Sequence, residues 1–318
     1  MKRALLILAA ALVPALAIAQ SYPSKPVRIV VPFPPGGPAD IFGRALAQGM
    51  SGGLGQPVLI ENVSGVGGVL GVERVAKSAP DGYLLALNSA STLSIAPFSL
   101  SKMPYDVKKD FALITVVVRV PEVLVVHPSL PANSLAELIS YAKANPGKVN
   151  FGSAGSGSIT HLAGELLKAE ARIDIVHVPY KGAAPAVSDL LGGQVQMGIF
   201  DVPILLPHIR SGRLKALAVT SAKRAGTLPD VPTTAEASYP NVTSDNWYGL
   251  VAPAATPLEI LKRIHASAAA ALRSPALVEQ YAKVSGIASP GTPQDYAAFL
   301  AAEQAKWSKV VRAIGFKE

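Results

Sequence analysis

Two short stretches carry the residue types that could hold a charged ligand. They are Pro32-Phe33-Pro34-Pro35-Gly36-Gly37-Pro38-Ala39-Asp40 and Phe151-Gly152-Ser153-Ala154-Gly155-Ser156-Gly157-Ser158. Each follows a β-branched or aromatic run and precedes a segment with helical spacing. Small residues at such a junction leave backbone N–H groups and hydroxyls uncovered at a helix N-terminus. An anion suits that place, because unpaired N–H groups and the helix dipole both point at it. In the first stretch Gly36 and Gly37 permit close backbone approach and the prolines fix the turn. Asp40 falls near the start of the helix that continues through Ile41, Phe42, Ala45 and Leu46, where it also suits capping and dipole compensation. The first stretch is, as a bare Gly-rich turn, a weak signal for a ligand; the second reads equally as a capped turn, with Ser156 or Ser158 as the cap.

Other chemistries find less support. No Gly-Lys-Ser/Thr follows the Gly/Ser loop; Ile159-Thr160-His161 stands there instead, so it is not a nucleotide phosphate loop. Gly65-Val66-Gly67-Gly68-Val69-Leu70-Gly71 has the wrong final spacing for a dinucleotide fingerprint and follows the second strand rather than the first. The match to a hydrolase nucleophile elbow, Gly49-Met50-Ser51-Gly52-Gly53, ends a helical pattern, whereas chemistry needs a strand-to-helix turn. His127, His161, His177, His208 and His265 form no close metal-binding pair. His161 and His177 read as packed or hydrogen-bonded side chains. The absence of cysteine excludes thiol catalysis and Cys-ligated metals, and no cofactor is expected. Basic residues are scattered, as in Lys108-Lys109 and Lys223-Arg224, and aromatics make up only 6%, which argues against nucleic-acid binding.

The elements that must position these loops are legible. Strand candidates are VRIVVPF (27–33), PVLIENV (57–63), YLLALNS (83–89), VLVVHP (123–128), KVNFGS (148–153), DIVHVPY (174–180), VQMGIFD (195–201), LKALAVTS (214–221) and NWYGLVAP (246–253). Nearly continuous Val/Ile/Leu runs fit strands covered on both faces. Helical spacing is clearest from Ser158, with Ile159, Leu162, Ala163, Leu166 and Leu167 on one face. Capping boxes are expected at Thr256–Glu259, Thr233–Glu236 and Ser134–Glu137, with a related helix start at Thr292–Asp295. Strands alternating with helices predict an α/β fold with mainly parallel sheets.

A length of 318 residues suggests two domains. The run at 113–128, with Pro121 in its middle, and the run at 244–253 read as crossings between them. The expected division is residues 20–122 with 245–318 as one domain and 123–244 as the other. Two crossings make a hinge, and a hinge between α/β domains makes a cleft, where strand C-termini meet helix N-termini.

The first 19 residues, MKRALLILAAALVPALAIA, have a basic start, an apolar stretch and a small-residue triplet, the pattern of a signal peptide cut after Ala19. The apolar part, Ala4 to Ala19, is shorter than the roughly 20 residues that span a bilayer. Its removal takes Lys2 and Arg3 with it and lowers the formal +8 to +6. The mature protein is expected in an exported, soluble form held by its core alone.

Taken together, long stretches in order resemble the extracytoplasmic solute receptors of tripartite tricarboxylate transporters, the Bug-type proteins. Among them are VRIVVPFPPGGPADIFGR (27–44), NPGKVNFGSAGSGSITHLAGELLK (145–168), VHVPYKGAAPAVSDLLGGQVQ (176–196) and NWYGLVAPAATPLEIL (246–261). The resemblance implies a periplasmic flytrap of the type II binding-protein class, with two α/β domains closing over a small organic carboxylate. It implies ligand contacts from Phe33, Gly36, Gly37, Pro38, Ala39 and Asp40 in one domain. The other would offer Ser153, Ala154, Gly155, Ser156, Gly157, Ser158 and Thr160, with Asp201 lining the cleft and Ser89 and Ser91 at the far end. It further implies a monomer that delivers its ligand to membrane transporter subunits. Ala39, where relatives usually carry Ser or Thr, and Val202, where they often have Asn, depart from the pattern at expected ligand positions. The competing readings are an exported α/β hydrolase using Ser51 or Ser156, and a ligand sensor without a transport role.

Overall fold

The computed structural model describes residues 22–317, so the expected leader at 1–19 lies outside the described residues. The chain opens with β1 (Val27–Val31), α1 (Pro38–Leu54), β2 (Val58–Asn62), α2 (Val69–Ala76), β3 (Leu84–Ser89) and α3 (Ala96–Ser99). A 3-10 turn at Val66–Gly68 precedes α2, and a π turn at Ser91–Ile95 runs into α3. The middle comprises β4 (Phe111–Val126), α4 (Leu135–Ala144), β5 (Val149–Ser153), α5 (Ile159–Ala171), β6 (Ile175–Pro179), α6 (Ala183–Leu191), β7 (Met197–Asp201), α7 (Val202–Arg210) and β8 (Lys215–Val219). It closes with β9 (Asp245–Pro253), α8 (Leu258–Arg273), α9 (Pro275–Ala282), β10 (Ile287–Ala288) and α10 (Pro293–Ile314).

The strands form one continuous sheet in the order β2-β1-β3-β9-β4-β7-β5-β6, with β8 and β10 also paired to β4. Pairing is parallel at β1–β2, β1–β3, β5–β6 and β5–β7, and antiparallel wherever β4 or β9 takes part. The sheet is therefore mixed, with parallel flanks and an antiparallel centre. The 113–128 run is a single long strand. Its first part pairs with β9 as far as Pro121↔Asp245, and its last part pairs with β7 and β8 from Glu122 or Val123 onward. Pro121 brings no N–H to a ladder, and it falls where the partners change over, a place that tolerates the missing donor. Thus β4 and β9 join two α/β halves.

Each half buries apolar side chains on both faces of its sheet. In one half α1, α8 and α9 cover one face, with Phe42, Leu46, Ile264 and Tyr281, while α2 and α10 cover the other, with Val72, Trp307 and Val311. In the other half α4 and α5 cover one face and α6 and α7 the opposite one. Each large buried side chain is worth about 1.5–3 kcal/mol, so these four clusters are what a chain without disulfides has to hold it. Ile159 and Leu162, at the start of α5, pack into the first half's cluster with Trp247 and Trp307. The two halves are closed on one another.

The helix starts are partly as the pattern predicts. Ser158 caps α5, and Thr292 with Asp295 forms a full capping box for α10. Ser134 caps α4, but Glu137 reaches back to the Asn133 N–H instead. Two expectations are corrected. Thr233 and Glu236 bond reciprocally, yet only turns follow, because Tyr239 N–H returns to Thr234 O and closes the segment. Thr256 is no cap: α8 begins at Leu258 and the Thr256 hydroxyl has no partner.

Candidate functional site

A narrow cavity lies between the halves, walled by Phe33, Pro34, Gly37–Ala39, Ser91, Ala154, Ser158–Thr160, Ala183, Asp201, Asn246 and Tyr248. Four helices begin on it: α1 after Gly37, α5 after Ser158, α6 after Gly182 and α7 after Asp201. Their N-termini direct partial positive charge inward. The wall includes no Lys, Arg or His among the described residues. In the first turns of α1 and α5, Asp40, His161 and Ile159 N–H groups are bonded, to Gly37 O, Ser158 O and Ser91 Oγ. Among the described residues the N–H groups of Ala39 and Thr160 are not, and first-turn N–H groups have no partner within the helix.

The first loop is held from behind. Asp40 turns away from the cavity: it accepts from Gly36 N–H at 3.1 Å, Asn62 Nδ2 at 3.0 Å and Arg44 Nε at 2.9 Å. Burial pushes the Asp40 carboxyl up, but Arg44, the Gly36 N–H and Asn62 outweigh it and hold it below its usual range. Gly36 has φ +80°, a left-handed turn that only glycine adopts cheaply, and so Gly37–Ala39 face the cleft.

The second loop is shaped by hydroxyls and two imidazoles. Thr160 Oγ1 accepts from the Ala154 N–H at 2.8 Å, and Ser158 Oγ donates to Gly155 O at 2.6 Å. Ser153 Oγ and His177 Nε2 share a hydrogen bond of 2.6 Å, and the Gly157 N–H donates to His161 Nδ1 at 3.2 Å. The imidazoles stack with centroids 3.7 Å apart. Burial first, and then His161 beside it, pushes His177 down to about 4, so it is neutral at physiological pH. As expected, both histidines are packed, hydrogen-bonded groups. Ser153 is fully buried, so its pairing with a histidine gives no accessible nucleophile. Ser51 lies inside α1, donating to Ala47 O and accepting from the Val58 N–H, which is not a nucleophile elbow.

The loops touch across the cleft. A Cβ on Gly182 would lie 2.5 Å from Pro34 Cδ, and one on Gly67 would lie 3.2 Å from Ser156 O. The closed cavity is only about 30 Å3, room for about two water-sized molecules.

Of the expected contacts, Phe33, Gly37, Pro38, Ala39, Ser91, Ala154, Ser158, Thr160 and Asp201 share this wall. Gly36, Asp40, Ser153, Gly155, Ser156 and Gly157 do not; they bend, brace or flank the loops. Ser89 ends β3 in the core with an unpartnered hydroxyl, away from the wall. Sequence reasoning missed Pro34, Ile159, Ala183, Asn246 and Tyr248. It also set aside Gly65–Gly71 as a failed fingerprint, although Gly67 lies at one of the places where the halves meet across the cleft. Three glycines in four residues there were a signal for unusual backbone. Gly65, Gly67 and Gly68 all have positive φ.

Asp201 sits at the N-cap of α7 but does not cap it. Its carboxylate accepts from Asn246 Nδ2 at 3.0 and 3.1 Å and from the Tyr248 hydroxyl at 2.5 Å. Burial pushes its carboxyl up to about 6, against those two donors.

A larger cavity of about 560 Å3 opens on the other face of β9. Alternation along the strand turns the Asn246 and Tyr248 side chains toward Asp201, and Asp245 and Trp247 toward this second space, which Asn246 also borders. Arg119, Lys223, Arg224 and Lys306 line it with Phe299, Glu303, Ala282 and residues 285–287.

Residues 42–316 match the model of the tripartite tricarboxylate transporter family receptor. Protein BugT of Bordetella pertussis is 42% identical over 300 residues, covering 94% of this chain and 92% of BugT. An R. palustris protein solved with adipate is 36% identical with a TM-score of 0.90, covering 93% of this chain and 99% of that one. MatC from Rhodopseudomonas palustris, solved with bound malate, is 32% identical with a TM-score of 0.88, covering 91% and 100%. The fold is thus that of periplasmic binding proteins, and the chain belongs to the tripartite tricarboxylate transporter receptor family.

Proposed function

We propose that this receptor captures a small organic carboxylate between residues 33–39 and 154–160 and delivers it to membrane subunits of a tripartite-type transporter. The observation that carries this reading is the convergence of four helix N-termini, from both halves, on a wall without cationic side chains. Each dipole is worth about 0.3–1 kcal/mol, up to about 2 when partly buried. A micromolar complex needs about 8 kcal/mol. Charge-assisted bonds from the Ala39 and Thr160 N–H groups, in a space that closure empties of water, supply the rest. The cavity is too small to admit a dicarboxylate while closed. Entry therefore goes with opening about β4 and β9, with residues 20–122 and 245–318 moving against 123–244.

The same reading makes the chain a monomer exported to the periplasm, its leader cleaved after Ala19, that turns nothing over. Among the described residues no helix is long and apolar enough to cross a membrane. Two relatives were solved with dicarboxylates, so malate and adipate head a calorimetric panel that also includes tricarboxylates, acidic amino acids and aromatic acids. At least one should bind at micromolar Kd and raise the melting temperature. Failure of every acid to bind a ligand-free, folded preparation would overturn the reading.

A further inference from the structure

A carboxylate wall in a carboxylate cleft needs a physical account, and the strand crossing provides one. Glu122 of β4 lies directly opposite Asp201 of β7 in the ladder, and neighbouring Pro121 faces Asp245 of β9. Glu122 is fully buried and Asp201 is 2% exposed. The Ser244 hydroxyl donates to Glu122 Oε2, and Oε1 has no partner. Among the described residues neither carboxyl has a Lys, Arg or His within ion-pair distance. Two such groups on adjacent strands cannot both ionise, since each charge lacks water and each repels the other. Burial, then Asp201 and Asp245, drive Glu122 well above its usual range, with only Lys306 of α10 opposing. Glu122 therefore holds a proton at neutral pH, while Asp201 keeps its charge on the Asn246 and Tyr248 donors.

We infer that Asp201 takes up one proton from solvent when the ligand carboxylate arrives, and that its new O–H donates to the ligand. The inference rests on the proposed carboxylate capture. One H+ moves from water or buffer to an Asp201 oxygen and no ligand bond breaks. The cleft would otherwise hold two anions in a dry space. The groups facing Asp201 are Glu122 on β4, Asn246 and Tyr248 on β9, and the Ser91, Ser158 and Thr160 hydroxyls across the cavity. Asp245 and Lys306 act on it from behind through Glu122, and Asp40 is committed to Arg44. None of these supplies a cation to the wall. Asp201 thereby becomes a specificity residue: it favours groups that accept a hydrogen bond and weakens capture as the medium turns alkaline.

Calorimetry with malate or adipate in buffers of different ionisation enthalpy, at about pH 6.5, 7.5 and 8.5, reads the linked proton directly. The expected uptake is close to one proton per ligand at about pH 7.5 and smaller at about 6.5, with Kd weakening up to about tenfold per pH unit on the alkaline side. Asp201→Asn should abolish the uptake and flatten the profile, while Glu122→Gln, which copies the protonated acid, should keep both. Should Asp201→Asn not fold, Tyr248→Phe removes a donor to the ionised form and should move the pH of maximal uptake upward. Binding without uptake, uptake that survives Asp201→Asn, uptake lost in Glu122→Gln, or an unmoved profile in Tyr248→Phe each overturns the inference and leaves carboxylate capture standing. If no acid binds the unaltered protein, both readings fall together.

Discussion

The cavities on the two faces of β9 are built from different materials. On the Asn246/Tyr248 face the space is about 30 Å3, its wall mainly small residues and hydroxyls with Phe33, Ile159, Asn246 and Asp201 among them, most of them buried. On the Asp245/Trp247 face it is about 560 Å3, rimmed by exposed Arg119, Lys223 and Arg224. By volume and formal charge the second would be chosen as the anion site. The physics favours the first. An exposed guanidinium or ammonium keeps its hydration shell and contributes little against salt, whereas N–H groups fixed at helix starts in a dry space are already oriented and stripped of water. Arg224 is in any case engaged with Glu236, and Arg119 lies over Phe299, 4.5 Å from its centroid.

Glu122 stands between the faces and offers the largest expected effect. Its folded-state proton affinity is raised by burial, so its contribution to stability is complete below the unfolded-state titration near about pH 4 and drains away as pH rises toward the folded value. Glu122→Gln should match the unaltered protein at about pH 4.5 and become progressively more stable above it, by up to about 1.4 kcal/mol per pH unit. Urea unfolding across that range checks it. Parallel curves for the two proteins would show that Glu122 is charged and compensated, and would remove the distinction between a proton-bearing hinge and a merely polar one.

The next effect should be confined to the narrow face. Gly155 has φ +127°, and a Cβ there would meet Tyr180 O at 3.1 Å. Gly155→Val forces the loop out of that conformation at about 1–3 kcal/mol, which weakens carboxylate binding about 5- to 150-fold. Unchanged affinity in the titration would mean that the loop's shape is irrelevant to capture. Thr160→Val is milder. It leaves the Ala154 N–H without its acceptor and removes a partner of Ser158, costing about 1–2 kcal/mol, or about 5- to 30-fold in Kd. A loss of stability with Kd unmoved would make Thr160 purely a brace.

What the sequence made legible follows from where its information is local. Ser158 capping α5, the Thr292/Asp295 box and the strand-loop-helix junctions at 31–40 and 153–160 are decided by neighbouring residues, and all stand in the structure. Asn246 and Tyr248 were hidden because their role depends on a strand register that brings them beside Asp201, 45 and 47 residues away in the chain. Gly67 was hidden for a related reason: its glycine spacing suggests a nucleotide template, while the backbone it comes close to, at Ser156, lies across the cleft. The Thr233/Glu236 box shows the converse, a local signal obeyed to the letter where tertiary contacts allow no helix to follow. The larger cavity left no mark in the sequence at all, since its walls come from segments scattered between residues 119 and 306.

That cavity supplies the smallest expected effect and the sharpest separation of the two faces. Arg119→Ala removes a guanidinium from the Phe299 ring, an exposed cation–π contact worth about 0.5–1 kcal/mol of stability. If anions are held by helix starts on the opposite face, carboxylate Kd should move by less than about threefold at moderate salt, and raising the salt should leave that ratio unchanged. A tenfold loss of affinity that salt abolishes would instead make the basic rim part of the capture route, steering the anion before the cleft closes. The charges of this chain would then bear on its ligand through the rate of encounter. Titration and stopped-flow association, measured side by side at two salt concentrations, decide between a bystander surface and a funnel, because a funnel changes the on-rate and its salt dependence while leaving dissociation as it was.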